Sequence, residues 1–213
     1  MNFFFVFVHF NLFLKYISKK TIILIYSMFI QTESTPNPNS LKFILEEEIT
    51  KSQTYEFSSI EDCKDSELAA QLFAIDGIDS IFFGSNFISI NKNKYEWDQL
   101  KAPILTKIAD FISSGKKVIK QNEKKDVINK TEFNHEDAEI VSQIQELLDS
   151  KIKPAVAQDG GDIEFKKFHD GIVYLALQGS CVGCPSSTLT LKTGIENLLK
   201  HYVREVKAVE QYI

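Results

Sequence analysis

Cysteine is scarce in this chain, with three residues in 213. Cys63, Cys181 and Cys184 are odd in number and wrongly spaced for a disulfide framework, so a reduced, cytosol-like compartment is expected. Arginine occurs once, as Arg204, and the formal net charge is -5. The basic footprint of a nucleic-acid binder is therefore missing. So are a Gly-rich phosphate loop, a nucleophile elbow and a Ser/His/Asp order that would suggest an active site. Neither apolar run near the start reaches the ~20 residues a spanning helix needs.

What is present reads as globular: 44% hydrophobic and 25% charged residues. Residues 1–30 form an apolar leader, interrupted by Lys15, Lys19 and Lys20. It lacks the basic start and small-residue cleavage site of a signal peptide, and the arginine of a mitochondrial presequence. Three readings stand: translation starting at Met28, a membrane anchor in residues 1–27, or a leader of another type. A membrane partner enters only with the second.

Residues 31–115 suggest one α+β block in the order β-β-α-β-β-α. Thr35-Pro36-Asn37-Pro38-Asn39 forms a turn before the strand Leu41–Leu45. Tyr55–Phe57 is a short partner strand. Leu68, Ala69, Leu72 and Ile75 keep helical spacing up to Gly77. Gly84-Ser85-Asn86 joins a hairpin, and Ile104, Leu105, Ile108, Phe111 and Ile112 make a second helical stripe with Pro103 in its first turn. Residues 116–135 carry six lysines and read as a solvated linker. Residues 136–213 suggest a second α+β block, α-β-β-α-β. There Asn134 or His135 caps the first helix, Pro154 bends or ends it, and Asp159-Gly160-Gly161-Asp162 turns the chain. Asp170-Gly171 closes a tight hairpin. Thr188, Leu191, Ile195, Leu198 and Tyr202 line the last helix, and a strand within Val203–Ile213 completes the sheet.

The chemistry concentrates in Gly179-Ser180-Cys181-Val182-Gly183-Cys184-Pro185. Two thiols two residues apart, between a strand and a helix, are half of the four thiolates a cubane iron–sulfur cluster requires. With Cys184 as the cap of a helix starting at Pro185, the helix dipole is expected to favour thiolate. A cluster shared by two copies, a zinc bridge of the same four sulfurs and a thioredoxin-like dithiol oxidoreductase all remain open. Cys181→Ser is expected to abolish cluster binding and leave the fold intact, the thiol lying in a loop and not the core. Cys63, beside Glu61 and Asp62, is expected to be inert. Asp159 and Asp162 read as turn residues, the histidines as scattered, Trp97 as a packing anchor, and Phe82–Phe87 as core, with one face as a candidate for docking a client.

The stretch Pro154-Ala155-Val156-Ala157-Gln158-Asp159-Gly160-Gly161-Asp162-Ile163, followed by the cysteine loop, resembles the C-terminal NifU domain of Nfu-type iron–sulfur carriers. Thr35–Phe43, Gly77-Ile78 through Phe87-Ile88, and Trp97 resemble that family's N-terminal domain. Together the resemblances span residues 31–213. They imply a non-enzymatic scaffold and homodimer, with a transient [4Fe–4S] cluster held between subunits by Cys181 and Cys184 as cofactor and metal ligands. Its partners would be the upstream assembly machinery and apo iron–sulfur clients, with no nucleic acid. The expected location is bacterial cytoplasm if Met28 is the start, or the mitochondrion in a eukaryote.

Overall fold

The computed structural model describes residues 30–51, 53–120, 135–184 and 187–212. The leader, Asn134, Pro185 and most of the expected linker lie outside them. Among the described residues no helix is long and apolar enough to cross a membrane.

The first sheet has five antiparallel strands in the order β1-β2-β5-β4-β3. These are β1 (Gln31–Ser34), β2 (Ser40–Ile44), β3 (Tyr55–Phe57), β4 (Ile78–Phe83) and β5 (Phe87–Lys92). Strand β1 was not expected. Its residues Gln-Thr-Glu-Ser are all exposed and carry no apolar alternation, so only pairing to β2 across the proline turn makes it a strand. Helices α1 (Glu67–Phe73) and α2 (Trp97–Ser113) cover one face. Leu41, Phe43, Ile81, Ile88 and Ile90 meet Leu68, Leu72, Ile104 and Ile108 there. Helix α2 starts earlier than the expected stripe, because the Glu96 N–H donates to Gln99 Oε1 at 3.1 Å. Pro103 therefore stands inside the helix and not in its first turn. Residues 116–120 also belong to this unit. Val118 is buried, its carbonyl accepts from Ser66 Oγ at 2.8 Å, and Lys116 pairs with Glu67.

The second unit runs α3 (Ala138–Leu147), a π turn (Leu148–Ile152), α4 (Lys153–Gln158), β6 (Gly161–His169), β7 (Ile172–Gly179), α5 (Ser187–Tyr202) and β8 (Ala208–Gln211). Pro154 explains the π turn: it lacks an N–H and its ring crowds the preceding turn, so the helix widens there before resuming. Strands β6 and β7 are antiparallel, and β8 lies parallel to β7. Asp170 and Gly171, with φ of 53 and 83, make the tight turn of the hairpin. Val141, Ile144, Leu148, Val156, Ile163, Val173, Ile195 and Leu199 fill this second core. On α5 the fully buried residue is Leu199, whereas Tyr202, expected inside, is 54% exposed. It lies at the helix end under the Lys151 ammonium, 5.6 Å from its ring.

Strands β2 and β5 are buried on both faces. Leu41, Phe43, Ile88 and Ile90 face their own helices. Their polar residues Ser40, Lys42, Ser89 and Asn91 are buried too, under the end of the β6–β7 hairpin.

Candidate metal centre

The pairing of β6 with β7 places Gly161 opposite Gly179 and Asp162 opposite Gln178. The Asp-Gly-Gly turn thus lies beside the start of the cysteine loop. Ser180 N donates to Gly160 O at 3.2 Å, Cys181 N to Gln178 O at 3.4 Å and Val182 N to Gly179 O at 3.2 Å. The Ser180 hydroxyl donates to Asp159 O. Gly160, Gly179 and Gly183 have φ of 84, 63 and 67, the left-handed region that favours glycine. Gly161 is needed for a different reason: a Cβ there would lie 2.6 Å from Cys181 Sγ and 2.7 Å from Gln178 O. The sulfur rests on a bare backbone.

Cys181 and Cys184 line one cavity of about 490 Å³, together with Pro36, Asn37, Val156 and Ile195. All three cysteines are reduced. Cys181 and Cys184 are 5% and 1% exposed, and Cys181 is part of the second core. This corrects the expectation of a thiol in an open loop. It also corrects the expected thiolate at Cys181. Burial, with smaller contributions from Asp159, Cys184 and Asp162, pushes that thiol up to about 12, against a partial opposing effect of the Ser180 hydroxyl. The expected cap at Cys184 and helix start at Pro185 involve residues outside those described.

Cys63 is buried in the first core. Burial and the Asp62 and Glu61 charges push it up to about 11, so the inert reading holds. Asp162, expected in the turn, stands instead in the first residues of β6, paired with Gln178; burial raises its carboxyl above 3.8 while the Ile163 N–H opposes that shift. Phe82 and Phe87 are buried, their rings 5.9 Å apart, and Phe82 packs against Gly179. The face considered for a client is covered by this chain's own second unit. Trp97 donates from Nε1 to Pro38 O at 3.1 Å and anchors the proline loop.

Sequence reading missed the polar residues that hold the cysteine hairpin from the first sheet. Asn37 Nδ2 donates to Ser180 O and to Val182 O, each at 3.0 Å. Lys42 Nζ donates to Gln158 O at 2.9 Å, Ser89 Oγ to Gly160 O at 2.6 Å and Asn91 Nδ2 to Gly179 O at 3.0 Å. Glu56 Oε1 accepts from Gly179 N at 3.0 Å, and Thr54 Oγ1 donates to Asp162 Oδ2 at 3.0 Å. The available signal was Ser40, Lys42, Ser89 and Asn91 at alternate positions of β2 and β5, which read equally well as a solvated face.

Among the described residues no group of three or more His, Cys, Asp or Glu side chains is placed to hold a metal ion. Cys181 and Cys184 are brought together at one cavity.

Two sequence families match the chain. One, described as scaffold protein Nfu/NifU N terminal, covers residues 30–115; the other, described as NifU-like domain, covers residues 144–210. The human NFU1 iron-sulfur cluster scaffold homolog, mitochondrial, is 47% identical over 186 residues, which is 86% of this chain and 72% of that protein. NifU-like protein 4, mitochondrial, of Arabidopsis thaliana is 45% identical over 188 residues, 87% of this chain and 66% of that protein. The solution structure of a NifU-like protein from Saccharomyces cerevisiae is 29% identical and covers 44% of this chain and 85% of its own, with a TM-score of 0.38.

Proposed function

The chain belongs to the Nfu/NifU family of scaffold proteins, and on that premise we propose that it carries iron–sulfur clusters as cargo. Two copies each contribute Cys181 and Cys184 to a [4Fe–4S] cluster at their seam and pass it on to apo-proteins. The observation that carries this reading is the pair of cysteines in one cavity, with no third metal-binding side chain grouped with them among the described residues. Cys63 cannot complete the set from within the first core.

Iron replaces the thiol protons on loading, so the protein releases protons as it takes up cargo. Neither the dithiol oxidoreductase nor the zinc bridge has a specific observation in its favour. The named relatives are mitochondrial, and the mitochondrion is the proposed location here.

Anaerobic reconstitution with iron and sulfide tests the reading. A brown dimer with about two irons per chain is expected, four irons being shared by two copies. Colourless protein that retains zinc would overturn it. So would a monomer cycling an internal disulfide.

A further inference from the structure

The loop Thr35–Asn39 reaches over the cysteine loop from the first unit. Pro36 and Pro38 stiffen it on either side of Asn37. Asn37 is 3% exposed, its N–H donates to Thr35 Oγ1 at 3.2 Å, and its Oδ1 accepts from Asn39 N at 3.0 Å. That second bond fixes which end of the amide is the donor. The NH₂ group faces the cysteine loop and spans Ser180 O and Val182 O, the carbonyls on either side of Cys181. Pro36 and Asn37 also line the cavity that both cysteines line.

A cluster shared by two chains needs each sulfur pair at a surface. Here the two cysteines are 5% and 1% exposed, while Val182 between them is 41% exposed. The chain described is thus closed over its own ligands.

We propose that Asn37 is a positioning residue that latches the cysteine loop shut in the cargo-free chain, and that loading requires this latch to release. The part of the inference that concerns loading rests on the scaffold reading; the latch itself does not. Once the amide lets go, Gly179 and Gly183 at the two ends of Ser180–Val182 supply the backbone freedom for the loop to swing outward.

The test uses the reduced, cargo-free full chain and Asn37→Asp. This variant keeps the shape and the acceptor for Asn39 N, and sets an anionic oxygen against two carbonyls in place of the donor. Iodoacetamide alkylation is followed at each cysteine by mass spectrometry. Cys63, buried in the first core, serves as the internal reference for unfolding. The expected result is a rise of at least about ten-fold at Cys181 and Cys184 with Cys63 unchanged, as loss of two hydrogen bonds to the loop carbonyls, one buried and one part-buried, implies. Unchanged rates at Cys181 and Cys184 overturn the latch. If Cys63 also speeds up, Ser89→Ala, which removes a separate bond to Gly160 O, decides by the same ratio: a selective rise supports closure and no rise overturns it.

Anaerobic loading with iron and sulfide is then timed for both proteins. Faster cluster uptake by Asn37→Asp supports gating, and uptake at the wild-type rate despite faster alkylation overturns it. If neither protein takes up a cluster while alkylation is still selectively faster, the cargo reading fails and the latch stands.

Discussion

Gly161→Ala tests how the proposed ligand sulfur is seated. The new Cβ would lie 2.6 Å from Cys181 Sγ and 2.7 Å from Gln178 O. Comfortable contact begins near 3.5 Å, so each neighbour must retreat by about 1 Å. Sulfur can move by rotating about its side-chain bond. The Gln178 carbonyl cannot, because it belongs to β7, paired with β6 through Asp162↔Gln178. The hairpin end must therefore open where the cysteine loop begins. Overpacking of this kind costs about 1–3 kcal/mol. In a unit of this size each kcal/mol lowers Tm by roughly 4–8 °C, which gives an expected drop of roughly 5–20 °C. Far-UV circular dichroism follows the whole chain, and the fluorescence of Trp97, the single tryptophan, follows the first unit. The circular-dichroism transition should fall by more than the fluorescence transition. Gly194→Ala is the control: nothing lies within 4 Å of its added Cβ, in the interior of α5. It should raise stability by about 0.5–1 kcal/mol through helix propensity. Equal melting of Gly161→Ala and wild type, with unchanged alkylation at Cys181, would refute the seating of sulfur on a bare backbone.

Cys181→Ser places a hydroxyl in a core position, so a loss of about 1–3 kcal/mol is expected together with loss of cluster uptake; a variant that still takes up its full iron content would remove Cys181 from the ligand set. Glu56→Gln concerns acidity. Burial raises the Glu56 carboxyl above 4.5, Glu164 adds to this, and the Gly179 N–H partly opposes it. A raised acid favours the folded state most when protonated, so its contribution is fully present below pH 4.5 and is lost as pH rises through the elevated value. Glu56→Gln should therefore melt at or above wild type at pH 7, with the difference shrinking towards pH 4. A variant less stable than wild type at pH 7, with a gap that narrows towards pH 4, would show the charge to be stabilising.

The second unit was the more legible in sequence. Its order depends on local punctuation (Pro154, Gly160-Gly161, Asp170-Gly171), and each of these fixes a backbone conformation by itself. The cysteine pair was legible for the same reason, since its spacing is a local property. What escaped depends on contacts between distant parts of the chain. Strand β1 exists through pairing alone. Helix α2 begins at a capping arrangement of Glu96 and Gln99 that apolar periodicity does not report. The acidity of Cys181 was misjudged because a helix dipole is a local argument, whereas burial is set by Pro36, Asn37 and the second core together.

The polar face of β2 and β5 shows what kind of contact joins the two units. Burying Lys42, Ser89 and Asn91 is costly unless each finds a partner. Their partners are the carbonyls of Gln158, Gly160 and Gly179. These lie in the turn and hairpin end beside the cysteine loop. The match is incomplete: Asn91 Oδ1 and Ser40 Oγ find no hydrogen-bond partner among the described residues. Phe82, packed against Gly179, adds an apolar part to the seam, and an apolar part loses its stabilisation when water enters it. A polar one exchanges each bond for a bond to water at a net cost of about 0.5–1.5 kcal/mol, and its unmatched groups gain partners when it opens. Contacts of this composition suit units that separate and close again. A closed chain keeps two buried sulfurs covered, and on the scaffold reading proposed above, a seam that parts without unfolding either core would let cargo in.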